Sequence, residues 1–121
     1  MPTLQHGKIC HLEVPASDPA ASADFYARTF GWKVHRGASG VLAFDDPTGE
    51  VSGHWVSSRA PTEPGLLYYI WVDDLSAAIA SVVAEGCELV QDAGGDPGEL
   101  TARFRDPGGN VVGLYQEPID Q

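Results

Sequence analysis

Two similar successions of strand and helix follow from the spacing of apolar residues along the chain. Residues 9–14 and 66–72 have the composition of strands, and a helical pattern comes after each of them. The apolar residues of the second helical segment recur every three or four positions: Leu75, Ala78, Ile79, Val82 and Val83. One stripe of that helix should therefore pack against a sheet.

The ends of both helices carry residue types that favour helix termini. Asp18 can cap the first helix, and Gly31 can end it because glycine adopts the left-handed conformation without strain. Asp73 or Asp74 can cap the second helix, and Gly86 can end it. These signals predict one helix in each half of the chain.

A repeat sixty residues apart shows that the two halves are related. The segment 44–53 lies over 104–113, with six identical residues in ten. Each copy contains Asp-Pro-x-Gly, which predicts a strand, a tight turn and another strand. With short strands at 33–35 and 87–90, each half is predicted to be a β-α-β-β-β module, so the fold class is α+β.

The modules are predicted to span residues 7–58 and 66–117, joined by a linker at 59–65 within the proline-containing stretch 57–65. The segment 91–99 holds three glycines and one proline. We expect it to be the most mobile loop of the chain, because glycine adds backbone freedom.

The charge of the chain narrows the classes of partner. With 7 basic and 17 acidic residues, its net charge is −10 and it has no basic cluster. We therefore expect no nucleic-acid partner and no membrane partner. The chain shows neither a signal peptide nor an apolar run near the roughly 20 residues of a membrane span, so we expect a cytoplasmic location. Cys10 and Cys87 are expected to be buried, reduced thiols.

The paired modules carry three motifs that resemble the vicinal oxygen chelate superfamily. These are Asp-Phe-Tyr at 24–26, Phe-Gly-Trp at 30–32 and Asp-Pro-Gly-Gly-Asn at 106–110. The superfamily contains glyoxalase I, bleomycin-resistance proteins and extradiol dioxygenases, and the resemblance covers residues 7–117. It implies a single domain whose eight strands form an open, barrel-like sheet with the helices outside and a central cavity. It also implies a homodimer.

The resemblance further implies where a divalent metal would bind in the metal-dependent members. Four ligands would come from the first and fourth strands of each module, at His11, Gly53, Leu67 and Gly113. Only His11 can be a ligand, so we expect no metal ion and no other cofactor.

His54 leaves an alternative to this interpretation. It should face away from Gly53, because side chains alternate along a strand. A bulge would instead let His54 converge with His11 and Glu13, and the protein would then be a metal-dependent lyase, isomerase or dioxygenase.

Aromatic residues indicate a binding pocket. Glycine at positions 53 and 113 would let a ligand approach the backbone. Four aromatic residues share the strand parity of these glycines: Trp55, Tyr69, Trp71 and Tyr115. They either stack on a planar or amphipathic small molecule or fill the core.

Two polar pairs complete the candidate site. His11 and Glu13 lie two residues apart, so they either form an acid/base pair for a metal-free isomerase or epimerase, or orient a ligand. Arg103 and Arg105 clamp an anionic group if their face is the inner one, or balance local acidity if it is the outer one. The surplus of acidic residues, expected at the surface, would also suit a cationic ligand.

The main interpretation is metal-independent binding or sequestration of a small molecule. An enzyme is the alternative, and a regulatory or partner-binding domain with a vestigial cavity is the third possibility.

Overall fold

The computed structural model describes residues 3, 5, 6, 9–37, 39–61, 67–94 and 100–116. The chain divides into two compact units, Met1–Pro61 and Thr62–Gln121. The elements of the first unit are β1 (His11–Pro15), α1 (Pro19–Phe30), β2 (Lys33–Arg36), β3 (Leu42–Asp45) and β4 (Ser52–Val56). Those of the second unit are β5 (Tyr69–Trp71), α2 (Leu75–Ala84), β6 (Glu88–Gly94), β7 (Leu100–Arg105) and β8 (Val111–Gln116). This order confirms an α+β fold of two βαβββ modules, whereas the eight-stranded barrel and its cavity stay predictions.

The first unit contains a four-stranded sheet in the order β1-β4-β3-β2, with one face packed against α1. β1 and β4 are parallel and the other pairs are antiparallel. Aromatic rings fill the space between helix and sheet. Tyr26 and Trp32 stack with ring centroids 4.2 Å apart, and Trp32 stacks on Phe44 at 4.4 Å. Packed rings of this kind bury a large apolar area in a short chain.

The second unit repeats the plan with the sheet order β5-β8-β7-β6. β5 and β8 are parallel, and α2 packs on one face of the sheet. Among the described residues of this unit, the fully buried apolar side chains of the sheet are Ala102, Phe104, Val112 and Leu114, so its core is mainly aliphatic.

Both helices begin and end as the sequence predicts. The Asp18 carboxylate accepts the N–H of Ala21 at 3.3 Å, and Gly31 closes α1 with φ of 73°. Of the two candidates for the second cap, Asp74 is the residue that accepts the N–H of Ala77, at 3.2 Å. A capping carboxylate satisfies a helical N–H that has no partner in the first turn.

The two turns that the repeat aligns differ in length by one residue. Asp46 donates its N–H to the carbonyl of Val51 at 2.9 Å, which encloses four residues. Asp106 donates to the carbonyl of Asn110 at 2.8 Å, which encloses three. The sequence does not reveal this difference, because the two copies align without a gap and have identical residues both before and after the turn.

The longer turn changes the strand pairing of the first unit. Phe44 lies opposite Gly53, whereas Phe104 lies opposite Val112. Both phenylalanines are buried on the helix side of their sheets. A one-residue shift turns every side chain of a strand to the other face of the sheet. Residues of β4 and β8 that the repeat aligns, such as Gly53 and Gly113, therefore face opposite sides of their sheets.

Two expectations about segments need correction, and the linker stays a prediction. The predicted loop 91–99 is wrong in its first part, because β6 continues to Gly94; residues 95–99 lie outside the described residues. Within the predicted strand 66–72, β5 covers only Tyr69–Trp71, and residue 66 lies outside the described residues. In the predicted linker, 57–61 form neither strand nor helix, and 62–65 lie outside the described residues.

The cysteines also differ from expectation. Both thiols are free, but Cys10 is exposed rather than buried. Cys87 is half-buried, and its pKa is raised to about 11 by burial and by the nearby carboxylates of Asp106 and Glu85. Neither helix in the described ranges has the length and apolar composition to cross a membrane.

Candidate functional site

Three polar side chains converge on the face of the first sheet that points away from α1. His11 and Glu13 come from β1 and His54 from β4; we call them the imidazole cluster. His11 Nε2 lies 2.8 Å from His54 Nδ1, and His54 Nε2 lies 3.8 Å from Glu13 Oε2. The expectation that His54 faces away from this group is wrong. No bulge is needed, because β1 and β4 pair without interruption from His11–Ser52 to Pro15–Val56.

Arg59 holds Glu13 in its ionised form. The guanidinium donates to Glu13 Oε1, and this hydrogen bond, followed by the positive charge of Arg59, lowers the pKa of Glu13. A carboxylate with a lowered pKa is a weak base at neutral pH. The geometry therefore favours the two imidazoles over Glu13 for moving a proton.

Sequence reasoning missed Arg59. It lies in the predicted linker, among residues that form neither strand nor helix. An isolated arginine in such a segment has no periodicity to indicate its partner, so the sequence carried no signal for it.

The donors of the imidazole cluster do not make up the four-ligand metal site that the resemblance implies. The corresponding positions of the second unit are Leu67 and Gly113, neither of which offers a side-chain donor. Glu13 is already engaged by Arg59. Within the described ranges, no three His, Cys, Asp or Glu side chains are grouped to hold a metal ion.

The glycines at positions 53 and 113 make room for aromatic rings of the protein itself. A Cβ added to Gly53 would lie 2.5 Å from Cζ of Phe44, and one added to Gly113 would lie 2.3 Å from Cδ2 of Tyr69. The expectation that these glycines leave space for a ligand is therefore wrong. Each lets a ring lie directly against a strand.

Trp55 lies on the helix side of its sheet rather than on the open face. It is 3% exposed and stacks near Tyr26 and Trp32, with ring centroids 6.2 Å and 6.4 Å away. The expected orientation of Trp55 is wrong for the same reason as that of His54, since both follow the longer turn. In this orientation its ring fills the core.

The remaining aromatic candidates come together on the open face of the second sheet. Tyr69 is 44% exposed and Trp71 is 57% exposed, and the Trp71 and Tyr115 ring centroids are 6.0 Å apart. Arg103 Nη2 reaches the hydroxyl of Tyr69 at 3.5 Å. We call Tyr69, Trp71, Arg103 and Tyr115 the aromatic face.

Strand pairing brings the aromatic face together. Tyr69 and Arg103 both lie opposite Gly113, and Trp71 lies opposite Tyr115. These residues belong to the three adjacent strands β5, β8 and β7. The parity expected for Tyr69, Trp71 and Tyr115 therefore holds in the second unit, whose turn is the shorter one.

The structure also separates the two candidate arginines. Ala102 and Phe104, which alternate with the two arginines along β7, are buried against α2. Both arginines therefore lie on the opposite face of the sheet. Arg105 donates to the Glu88 carboxylate at 3.3 Å and to the carbonyl of Gly109 at 3.2 Å. Arg103 has no carboxylate partner among the described residues, and its Nε is buried without a hydrogen bond. Arg103 is therefore the arginine that remains available to a ligand.

A cavity of about 270 Å³ lies beside the end of α2 and is partly lined by Cys87. Its acidic residues are partly neutralised by Arg105, which also lines it. The raised pKa of Cys87 keeps that thiol protonated at neutral pH, so the cavity offers no thiolate nucleophile.

Comparisons with known proteins agree with the fold. The family model of the Glyoxalase/Bleomycin resistance protein/Dioxygenase superfamily matches residues 8–114. A glyoxylase-like domain-containing protein of Didymella fabae is 36% identical over 95 residues, which is 72% of this chain and 74% of that protein. The CFP32 protein of Mycobacterium bovis is 31% identical over 119 residues, and the match covers 87% of this chain but only 44% of the mycobacterial protein.

Among solved structures, TnmS3 of Streptomyces sp. CB03234, described as an antibiotic binding protein, is similar with a TM-score of 0.73. It is 27% identical, and the match covers 96% of this chain and 100% of TnmS3.

Proposed function

Because the chain belongs to the glyoxalase/bleomycin resistance protein/dioxygenase superfamily, we propose that it binds and sequesters a small planar aromatic or amphipathic molecule without a metal ion. The observation that carries this proposal is the aromatic face, where an indole and a phenol are about half exposed on one side of a sheet. Exposed aromatic rings that are grouped on one surface, rather than scattered singly, indicate a binding site.

The arrangement of the face suits stacking. The rings of Trp71 and Tyr115 are tilted by 49° at 6.0 Å, so they form a notch rather than a closed stack. A planar molecule can insert against the indole while its edge meets the phenol. The similarity to TnmS3, described as an antibiotic binding protein, supports binding of a small molecule.

The test is equilibrium binding of a panel of planar aromatic compounds, followed by calorimetry. We expect Trp71→Ala and Tyr115→Ala each to weaken binding about tenfold, which corresponds to about 1.4 kcal/mol of lost stacking and burial. Val83→Ala is the matched control, because it removes an exposed apolar side chain from α2. The proposal fails if the panel shows no binding, or if the two aromatic variants bind as the unaltered protein does.

The imidazole cluster favours a second candidate, a metal-free isomerase or epimerase. His11 Nε2 lies 2.8 Å from His54 Nδ1, so one ring donates and the other accepts, according to their tautomers. An isomerase or epimerase removes a proton from its substrate and returns one, and two adjacent imidazoles are the side chains suited to these two roles. Ser52 Oγ lies 3.5 Å from His11 Nδ1, the ring nitrogen of His11 that does not face His54.

A His11→Ala variant separates the two candidates. In an enzyme it removes one of the two proton carriers and should abolish turnover, whereas in a binding protein it should leave affinity for aromatic compounds nearly unchanged. Glu13→Gln is the matched control. It should retain turnover, because Glu13 is held as an anion by Arg59 and is not one of the two proton carriers. The expected homodimer and cytoplasmic location stay predictions. Light scattering of the purified protein tests the homodimer.

A further inference from the structure

The aromatic face carries one arginine whose chemistry narrows the class of ligand. Resting on the proposed function, we propose that the ligand is a planar aromatic acid, whose ring lies on the aromatic face and whose carboxylate or similar anionic group is held by Arg103. The acidic composition of the chain suggests the opposite, a cationic ligand, so the inference depends on the local arrangement around Arg103.

Among the described residues, Arg103 lacks the carboxylate partner that Arg59 and Arg105 have. The protein has 17 acidic residues against 7 basic ones, so carboxylates are plentiful. Arg59 pairs with Glu13, and Arg105 pairs with Glu88. Arg103 has no such pair among the described residues, and its one side-chain hydrogen bond there is the 3.5 Å contact with Tyr69.

The guanidinium of Arg103 has a donor that the protein leaves unused. Nε is buried and has no hydrogen-bond partner among the described residues. A buried donor without a partner is unfavourable, so Nε does not compensate for the missing carboxylate. The two terminal amino groups of a guanidinium form a planar fork, which matches the two oxygens of a carboxylate.

The position of Arg103 places this fork beside the rings. Arg103 and Tyr69 flank Gly113 from the two neighbouring strands, so guanidinium and phenol lie at the same level of the sheet. Because Gly113 has no side chain, the ring of Tyr69 lies directly over the strand between them. An aromatic ring carrying a carboxylate can therefore contact the rings and the fork together.

The net charge does not override this local preference. The field of dispersed surface carboxylates falls off over a screening length of about 8 Å at physiological ionic strength. The fork contacts its ligand directly. We therefore expect Arg103 to decide the sign of the charge that the face accepts, and the distant carboxylates to lower affinity for all anions modestly.

The experiment compares three probes that share one ring system and differ in charge: 2-naphthoate, 2-naphthamide and 2-naphthylmethylammonium. Affinities are measured by calorimetry on the full chain and on Arg103→Gln, Arg103→Lys and Arg105→Gln. Arg105→Gln is the matched control, because Arg105 shares the strand and face but is already paired. Circular dichroism of each variant verifies that it is folded.

We expect the unaltered protein to bind 2-naphthoate at least about tenfold more tightly than 2-naphthamide, and the cationic probe most weakly. Arg103→Gln should remove this preference, because it should weaken binding of 2-naphthoate at least about tenfold more than binding of 2-naphthamide. Arg103→Lys should retain part of the preference, since it keeps the charge but loses the fork, and Arg105→Gln should retain all of it.

The outcomes distinguish this inference from the proposed function. Equal binding of the three probes, or a preference for the cation, overturns the anionic class and leaves aromatic binding intact. A preference that survives in Arg103→Gln or disappears in Arg105→Gln overturns the role of Arg103. Absence of binding by all three probes overturns both the inference and the proposed function.

Discussion

Gly53 and Gly113 each lie under an aromatic ring, but the two rings differ in their freedom to move. Phe44, over Gly53, is 1% exposed, whereas Tyr69, over Gly113, is 44% exposed. A Cβ at Gly53 would also lie 2.5 Å from the backbone oxygen of Leu12, which cannot rotate away. The same added methyl group should therefore have different consequences at the two positions.

We predict that Gly53→Ala destabilises the protein by about 1–3 kcal/mol, the usual cost of overfilling a packed core. Gly113→Ala should cost less stability, because the ring of Tyr69 can swing into solvent, but it should weaken aromatic binding. Urea unfolding and calorimetry measure the two effects. A larger loss of stability in Gly113→Ala would show that Tyr69 is fixed more firmly than its exposure indicates.

The pKa of Glu13 provides a second test at this scale. Arg59 lowers that pKa below its usual value of 4.5 by hydrogen bonding and by its charge. A lowered pKa means that the folded state favours the carboxylate. The stabilisation is therefore complete above pH 4.5 and is lost as the pH falls through the lowered value.

We predict that Arg59→Gln returns the pKa of Glu13 towards 4.5 and removes this part of the acid sensitivity. Carbon-13 NMR of the side-chain carboxyl during a pH titration measures it directly. Arg105→Gln, which breaks a different ion pair, should leave the titration of Glu13 unchanged. An unchanged titration in Arg59→Gln would mean that another group holds the carboxylate.

At the scale of elements, the two helices illustrate what a sequence predicts well. Their caps and ends depend on residues within one turn of each other, so local chemistry suffices. We predict that Asp18→Ala and Asp74→Ala each cost about 1 kcal/mol, and that the corresponding asparagine variants cost much less because asparagine also caps. Urea unfolding measures both. Equal losses for alanine and asparagine would indicate that the charge, rather than the cap, stabilises the helix.

The strand after each turn illustrates what the sequence predicts poorly. The repeat aligns Gly53 with Gly113, and six identities support that alignment. The hydrogen bonds, however, close a turn of four residues in one unit and three in the other. One residue in a turn decides the face of every side chain that follows, so His54 and Trp55 exchanged the faces expected for them. In the second unit, the expected parity of Tyr69, Trp71 and Tyr115 holds, whereas the sequence leaves the side of Arg103 open.

We predict that deleting Glu50, which shortens the longer turn by one residue, lowers stability by at least about 3 kcal/mol, because it would move Trp55 out of the core. Glu50→Ala is the control, since it keeps the length of the turn. Urea unfolding compares the two. If the deletion costs less than about 0.5 kcal/mol, as an ordinary surface change does, the strand has absorbed it locally and the turn does not set the register.

At the scale of the whole molecule, the two units keep the same elements but carry different chemistry. The first presents two imidazoles and a paired carboxylate on its open face. The second presents aromatic rings on β5 and β8, and on β7 an arginine that has no carboxylate partner among the described residues. The two units therefore share the order of their elements and the topology of their sheets, while their open faces differ. The proposed function rests on these differing faces, since a fold alone does not determine function.

This divergence leads to a prediction about metals. A four-ligand site needs donors from both units, and only the first unit supplies them at these positions. We predict that Ni²⁺, Zn²⁺, Co²⁺, Mn²⁺ and Fe²⁺ give no stoichiometric stabilisation in a thermal-shift screen. A specific metal at 100 times its dissociation constant would stabilise the fold by about 2.7 kcal/mol, which is easily measured.

A control is needed because a chain of net charge −10 attracts divalent cations without any site. The double variant His11→Ala, His54→Ala provides it, since diffuse attraction persists in that variant and binding at the imidazole cluster does not. Elemental analysis of the purified protein gives the stoichiometry. One metal ion per chain, with a thermal shift that disappears in the double variant, would contradict the prediction. It would make the imidazole cluster a metal centre and favour an enzyme over a binding protein.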